Sequence, residues 1–144
     1  KAVDIARVLA ADAVEKVGYL RQAVLVTPAA DRALLGRIDA LAVKLADLGV
    51  QMDGDDTVAR RQEPTTPGIS SRVGQVVSGL DGNLSGATTT MRESLAVAKR
   101  QFGPVLAGLE AATAEIRALE AELEKVKAPY TPGRLPTWGG TGGR

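Results

Sequence analysis

The sequence predicts an all-α fold: an antiparallel four-helix bundle with one short helix, a long crossover loop and an extended Pro-rich tail. Apolar residues recur at alternating steps of three and four from residue 95 to residue 126, which is typical of a helix side packed against other helices. Hydrophobic residues make up 44% of the chain but aromatic residues only 3%, so the core must consist of aliphatic side chains, which suit closely spaced helices. The 144 residues are typical of one domain, with the bundle over residues 1–128 and the tail over 129–144.

The first predicted helix covers residues 2–26. Three further residues, Ile5, Leu9 and Val14, widen its apolar side, as in a helix that contacts more than one neighbour. Its apolar seam consists of Val3, Ala6, Ala10, Ala13, Val17, Leu20 and Val24.

The second predicted helix covers residues 28–48 and runs back along the first as an antiparallel hairpin. Thr27 can cap a helix and Pro28 suits a first helical turn, so the two predict a tight junction. Gly49 stands where a left-handed C-terminal cap is favoured. The seam of this helix is Leu34, Ile38, Leu41, Leu45 and Leu48.

Residues 50–68 show no periodicity and predict a long loop, of the kind that crosses a bundle or binds something. Asp53, Asp55 and Asp56 resemble part of a calcium-binding loop. An EF-hand needs a Glu at the twelfth position, however, and Pro64 stands there when the count starts at Asp53. A solvated turn is therefore the favoured interpretation, and no metal site is predicted.

A short third helix is predicted over residues 70–82. Its apolar residues keep helical spacing, but Gly74, Gly79 and Gly82 each weaken it by about 1 kcal/mol relative to Ala. Small residues at these positions are consistent with close helix contact and equally with fraying.

The long fourth helix is predicted over residues 90–127. Thr90 and Glu93 have the spacing of a capping box, which places its start near Met91. Pro104 predicts a kink and not an end, because the apolar register continues past it unshifted. The seam consists of Leu95, Ala98, Phe102, Val105, Leu109, Ala112, Ile116, Leu119, Leu123 and Val126.

The tail contains three prolines and two of the four aromatic residues of the chain. An extended Pro-rich segment can lie in a groove at low entropic cost. Three alternatives stay open: the tail folds back on its own bundle, docks on another domain or subunit, or is disordered. The candidate partner-contact residues are Tyr130, Arg134, Leu135 and Trp138.

The composition excludes several classes of function. The chain has no Cys and no His, which excludes thiolate chemistry and removes the commonest general base and metal ligand. A net charge of +1 gives no reason to expect nucleic acid, and no apolar run approaches the ~18 residues of a membrane span. Glu120 and Glu124 lie one turn apart on what the pattern predicts to be a solvated helix face. We therefore predict no catalytic residue, no cofactor and no metal.

Short motifs resemble a known family, the helical C-terminal region of bacterial secreted proteins with BNR-type, sortilin-like β-propellers, often labelled glycosyl hydrolase-like. The motifs are Glu-Pro at 63–64, Ile-Ser-Ser-Arg-Val at 69–73, Pro-Val-Leu at 104–106 and Tyr-Thr-Pro-Gly-Arg at 130–134. The resemblance implies an exported parent, extracellular or periplasmic, whose propeller lies upstream. Lys1 stands at the start of a helical pattern without a capping residue, so we also expect the chain to begin inside a longer polypeptide.

The function predicted from these observations is that of a non-catalytic structural or interaction domain. Its partner is expected to be a protein, either the upstream propeller or another subunit. Two alternatives stay open: an accessory segment of a carbohydrate-active hydrolase, and a self-associating coiled coil in which the seam over residues 95–126 pairs between copies.

Overall fold

The computed structural model describes residues 1–81 and 86–133, and it confirms the all-α bundle. These ranges contain five helices and no strand. The helices are α1 (Ala2–Val26), α2 (Leu34–Asp53), α3 (Asp56–Arg60), α4 (Ile69–Asp81) and α5 (Thr89–Lys125).

Ion pairs show how the long helices run. Arg7 of α1 pairs with Asp53 at the end of α2, at 2.8 Å, and Arg21 pairs with Asp39 near its start, so α1 and α2 are antiparallel. Arg37 of α2 joins two carboxylates of α5.

The Arg37 guanidinium lies 2.8 Å from Glu115 and 2.5 Å from Glu122. Its hydrogen bonds with Glu122 and then Glu115 raise the pKa of Arg37 above its ordinary value. Arg37 thus bridges two carboxylates at the edge of the contact between α2 and the C-terminal half of α5.

The core lies between α1, α2 and α5, and aliphatic side chains form it. The predicted α1 seam is confirmed from Ala6 to Val24, with Val3 partly buried beside it. The α5 seam is buried at most positions, with Phe102 and Val126 packed at the edge. The largest side chains with at most 1% exposure are Leu20, Val24, Ile38, Leu45, Met52, Ile69, Val105 and Leu119.

The flank of α1 differs from its prediction. Ile5, Leu9 and Val14 are 58%, 54% and 55% exposed, so they do not widen the buried side. Between residues 5 and 14 the buried residues of α1 are Ala6, Ala10 and Ala13, so the neighbouring helices cover a narrow alanine side and leave both flanks exposed.

α4 packs mainly against the N-terminal part of α5 and begins beside the end of α2. Ile69 and Val73 line one cleft with Ala98 and Phe102 of α5. The end of α2, α4 and the first turns of α5 therefore extend the core beyond the start of α1.

The predicted junction between the first two helices is wrong in detail. Pro28 does not start α2, and residues 28–33 form turns. The Asp31 side chain accepts a hydrogen bond from the Ala33 amide at 2.8 Å, and the Leu34 amide donates to the Asp31 carbonyl, so a turn at Asp31 leads into α2. Ala30 is buried by this turn, so the connection itself contributes to the core. α2 begins at Leu34, six residues later than predicted.

Gly49 does not end α2. The helix continues to Asp53, and the cap is Gly54, with φ 93° and an amide that donates to the Val50 carbonyl at 2.8 Å. The extension places Met52 on the same side as Leu45 and Leu48, and Met52 is 1% exposed. Burial of that side chain stabilises the added turn.

The predicted loop contains a short helix and closes on itself. Asp55 caps α3 by accepting the Thr57 amide at 2.9 Å and the Thr57 hydroxyl at 2.6 Å, and these hydrogen bonds lower the Asp55 pKa. Gly68, at the far end, lies directly on the backbone of residues 52–54. Residues 54–68 therefore form a compact Ω-like loop.

The start of α5 also differs from its prediction by a residue. Thr88 is the cap, and its hydroxyl accepts the Met91 amide at 3.3 Å, so the capping box at Thr90 is wrong. α5 is continuous through Pro104, as predicted, while the kink stays a prediction.

Gly68→Ala should destabilise the protein. A Cβ at Gly68 would lie 2.6 Å from backbone atoms of Met52, Asp53 and Gly54, which cannot move aside as a flexible side chain can. We expect the free energy of unfolding in urea to fall by about 1–3 kcal/mol.

Gly49→Ala is the matched control. Nothing lies within 4 Å of a Cβ there, and Gly49 is inside α2, so the free energy of unfolding should rise by about 0.5–1 kcal/mol. A loss at Gly49 would instead support the left-handed cap expected from sequence.

Candidate functional site

The chain reverses direction after α5 through a C-terminal cap. The Lys127 amide donates to the Glu124 carbonyl and the Ala128 amide to the Leu123 carbonyl, which is the hydrogen-bond pattern of a Schellman motif. Lys127 adopts the left-handed conformation, with φ 55°, at the position where Gly is usual. Pro129 follows and prevents further helix.

Residues 129–133 then lie between α5 and α1. Thr131 is buried, and its hydroxyl donates to the Glu120 carboxylate at 2.6 Å. Gly133, with φ 80°, lies beside Lys16 of α1. A cavity of about 370 Å³ lies under this segment, with Leu20 and Leu123 in its wall. The segment thus covers one end of the contact between α1 and α5.

The carboxylates of α5 are not a solvated pair. Glu120 is 9% exposed, because the returning segment covers it and Thr131 binds it. Glu124 is half-buried and accepts the Tyr130 hydroxyl at 3.1 Å. The expectation of a solvated face is therefore wrong for Glu120. Glu120 is buried because the chain reverses after residue 126. Helical periodicity does not reveal such a reversal, so the sequence pattern did not predict this burial.

Of the four predicted contact residues, the structure describes Tyr130. Tyr130 is 50% exposed, with its ring on the surface and its hydroxyl on Glu124. Arg134, Leu135 and Trp138 lie outside the described residues. Their partner contact stays a prediction.

An exposed apolar surface, which we call the hairpin patch, lies on the outer side of α1 and α2. It consists of Val14, Val43, Ala46 and Val50.

Helix register places Val14 and Ala46 opposite each other and Val43 and Val50 further along the outer side of α2, where Val50 also borders a cleft with Val58 and Pro64 of the following loop. The pairs Arg7–Asp53 and Arg21–Asp39 fix which residues of α1 and α2 face each other. Val14 stands seven residues from each arginine, and Ala46 seven from each aspartate, so the two lie opposite each other midway between the ion pairs. Val43 and Val50 follow one turn to either side of Ala46.

The hairpin patch was not predicted. Val14 was assigned to the buried flank of α1, and the valines of α2 received no role. A signal was present, however, because residues 43, 46 and 50 repeat at helical spacing on the side away from the leucine seam.

A second apolar surface borders the groove between α1 and α5. Leu9 of α1 shares a cavity of about 330 Å³ with Thr113, Ile116 and Arg117 of α5, and Gly133 stands at its edge. Ile5, one turn before Leu9, extends this apolar flank. We call this surface the α1–α5 groove.

The acidic residues near the end of α2 have structural partners. Asp53 pairs with Arg7, and Asp55 caps α3. Within residues 1–81 and 86–133, no group of three or more His, Cys, Asp or Glu side chains is arranged to hold a metal ion. Asp53 and Asp55 thus serve the fold.

Comparison with known proteins gives no relative. The chain matches no family model, and neither a curated protein nor a solved structure matches it. In the described part of the chain, no helix has the combination of length and apolarity that a membrane crossing requires. The two apolar surfaces, and the resemblance of four short motifs to the sortilin-like family, are therefore the features that bear on function.

Lys127→Gly should stabilise the protein, because Gly adopts the left-handed conformation of this cap without the steric cost that Lys bears. We expect the free energy of unfolding in urea to rise by about 1 kcal/mol. Lys125→Gly, two residues earlier and still inside α5, is the matched control and should cost about 1 kcal/mol. Equal losses at both positions would contradict the cap.

Proposed function

We propose that this chain is a non-catalytic helical domain that contacts another protein through the hairpin patch. The parent is an exported, sortilin-like β-propeller protein, extracellular or periplasmic. The partner is its upstream propeller or another subunit of the assembly. The resemblance stated above supports the choice of parent and partner, and the exposure of the hairpin patch supports the mode of contact.

The observation that carries the proposal is the arrangement of valines between two ion pairs. Val43 is 63% exposed and Val14 55%, although both belong to well-formed helices. Scattered apolar residues are ordinary on a protein surface, but aligned ones with a charged rim have the anatomy of a contact site.

The rim is ionic at both ends of the patch. Arg7, Asp53, Arg21 and Asp39 are each about half exposed, so they are hydrated in the free chain and can pair anew with a partner. Surface ion pairs of this kind contribute little to the stability of the fold. The four charges can therefore pair with a partner and determine its specificity without a large cost in folding stability.

The valines are also pre-ordered. A β-branched side chain on a helix has one strongly preferred rotamer, so binding costs little conformational entropy. The patch is thus a rigid apolar centre, and burial of its area by a partner supplies the affinity.

The α5 seam is less suited to a contact between copies of the chain than the hairpin patch is to a contact with a partner. Leu109, Ile116 and Leu119 are already buried against α1 and α2. Pairing between copies through this seam requires the bundle to open, whereas the hairpin patch is accessible in the closed bundle.

Cysteine labelling tests the proposal, because the chain has no Cys of its own. Val43→Cys should react quickly with a maleimide in the isolated chain. In the longest natural polypeptide or assembly that contains the chain, labelling at position 43 should slow at least tenfold, with mass spectrometry to locate the label.

Ala114→Cys is the matched control. Ala114 is exposed on α5, on the helix side opposite the seam, and should label at the same rate in both forms. Unchanged labelling at position 43 in the longer polypeptide would contradict the proposed contact.

A further inference from the structure

The N-terminal part of α5 extends beyond the start of α1. Val3 of α1 shares a cleft with Ala98 of α5, and Leu20 shares a cavity with Leu123, so the two helices run in the same direction. α5 begins at Thr89, well before Ala98. At about 1.5 Å per residue it therefore reaches about 14 Å past its contact with Val3.

α4 lies beside this part of α5 and runs in the opposite direction. At one end Val73 shares the cleft with Ala98 and with Val3 of α1. At the other end a Cβ added at Gly79 would fall on the side-chain methyl of Met91. α1 thus meets both helices at one end of their contact, and beyond α1 the two helices leave a groove, which we call the α4–α5 groove.

Apolar side chains line the α4–α5 groove past the end of α1. On α4, Val77 and Leu80 follow Val73 at helical spacing, and they are 52% and 43% exposed. On α5, Leu95 borders the cleft and Met91 precedes it by about one turn, and both are partly buried. The groove therefore has an apolar floor that is accessible from outside.

The rim of the groove carries mostly cations. Lys1 and Lys99 border the cleft, and Arg92 precedes Lys99 by one heptad on the same side of α5. Asp81, in the last turn of α4, adds a carboxylate on the opposite rim. The sum of these four charges is positive, which favours a ligand with acidic side chains.

The groove also has the shape of a site for a helix. Thr113 borders α1 and follows Lys99 by two heptads, so both stand on the same side of α5. α1 covers that side along the C-terminal half of α5, and the α4–α5 groove continues it along the N-terminal half. A helix placed in the groove would therefore lie in line with α1, at a spacing that α1 itself adopts.

We infer that the α4–α5 groove binds an amphipathic helix of a partner protein. About three turns of that helix fit, with apolar residues on Val77, Leu80 and Leu95 and acidic residues facing Arg92 and Lys99. This contact goes beyond the proposed function, because it uses a different surface from the hairpin patch and a ligand of defined conformation and charge.

A synthetic peptide tests both the shape and the charge of this ligand. The probe is a fluorescein-labelled helix of about four turns, with Leu at alternating steps of three and four and Glu at its other polar positions. Its counterpart has Lys in place of each Glu. Fluorescence anisotropy with the intact chain should give a Kd about tenfold lower, or less still, for the acidic peptide. Equal affinities of the two peptides would overturn the inference.

Two pairs of variants locate the bound peptide. Lys99→Glu should raise the Kd of the acidic peptide about tenfold or more, because it places a carboxylate at the rim. Arg100→Glu is its matched control, since Arg100 is exposed on the same helix but more than a quarter turn away. It should change the Kd about twofold or less at physiological ionic strength.

The second pair tests the apolar floor. Val77→Asp should also raise the Kd about tenfold or more, whereas Val43→Asp, on the hairpin patch and similarly exposed, should leave it unchanged. Circular dichroism should show the same helix content in all four variants. Equal effects within either pair would overturn the inference.

Two other occupants of the groove are also tested. If sedimentation shows a dimer that Val77→Asp converts to a monomer, a second copy fills the groove and the inference is overturned. If the longest natural polypeptide that contains the chain fails to bind the acidic peptide, its own sequence covers the groove, and the inference is again overturned. None of these results bears on labelling at position 43, so this inference and the proposed function can fail independently.

Discussion

The burial of the α5 seam by the α1–α2 hairpin is the constraint on which the rest of the structure depends. α5 has 37 residues and reaches every other long helix of the described chain. Its approach to α2 is close at Gly108, where a Cβ would lie 2.7 Å from Leu48 Cδ2. With few aromatic side chains, the core gains its contacts from such close spacing of helices and not from large rings.

The narrow buried side of α1 determines where the free surfaces lie. In the first half of α1 the buried residues are alanines of the seam, and the residues on both flanks of that seam are exposed. Val14 is exposed on the flank toward α2, and Leu9 and Ile5 on the flank toward α5. α1 thereby contributes residues to the core, to the hairpin patch and to the wall of the α1–α5 groove.

Periodicity predicted the seams well because it is a local property of each helix. The buried positions from Ala6 to Val24 and from Ala98 to Leu123 follow the predicted spacing. Helix ends were harder, since Gly49 and Gly54 are both plausible caps in sequence. Which of the two glycines ends α2 depends on whether Met52 is buried in the core.

The candidate surfaces were the least predictable part. An apolar flank is exposed or covered according to what packs on it, and this depends on chain reversals such as the cap at Lys127. Glu120 illustrates the point, because its burial comes from Thr131 and not from any feature of its own helix.

The most direct measurement of the central claim compares two leucines of α5. Leu119 is fully buried in the seam and Leu106 is 37% exposed on the same helix. In a chain shown to be monomeric by sedimentation, Leu119→Ala should lower the free energy of unfolding by about 2–5 kcal/mol. Leu106→Ala should lower it by no more than about 1 kcal/mol. Equal losses at the two positions, or a folded state that forms only in an assembly of several copies, would contradict a seam buried within one chain.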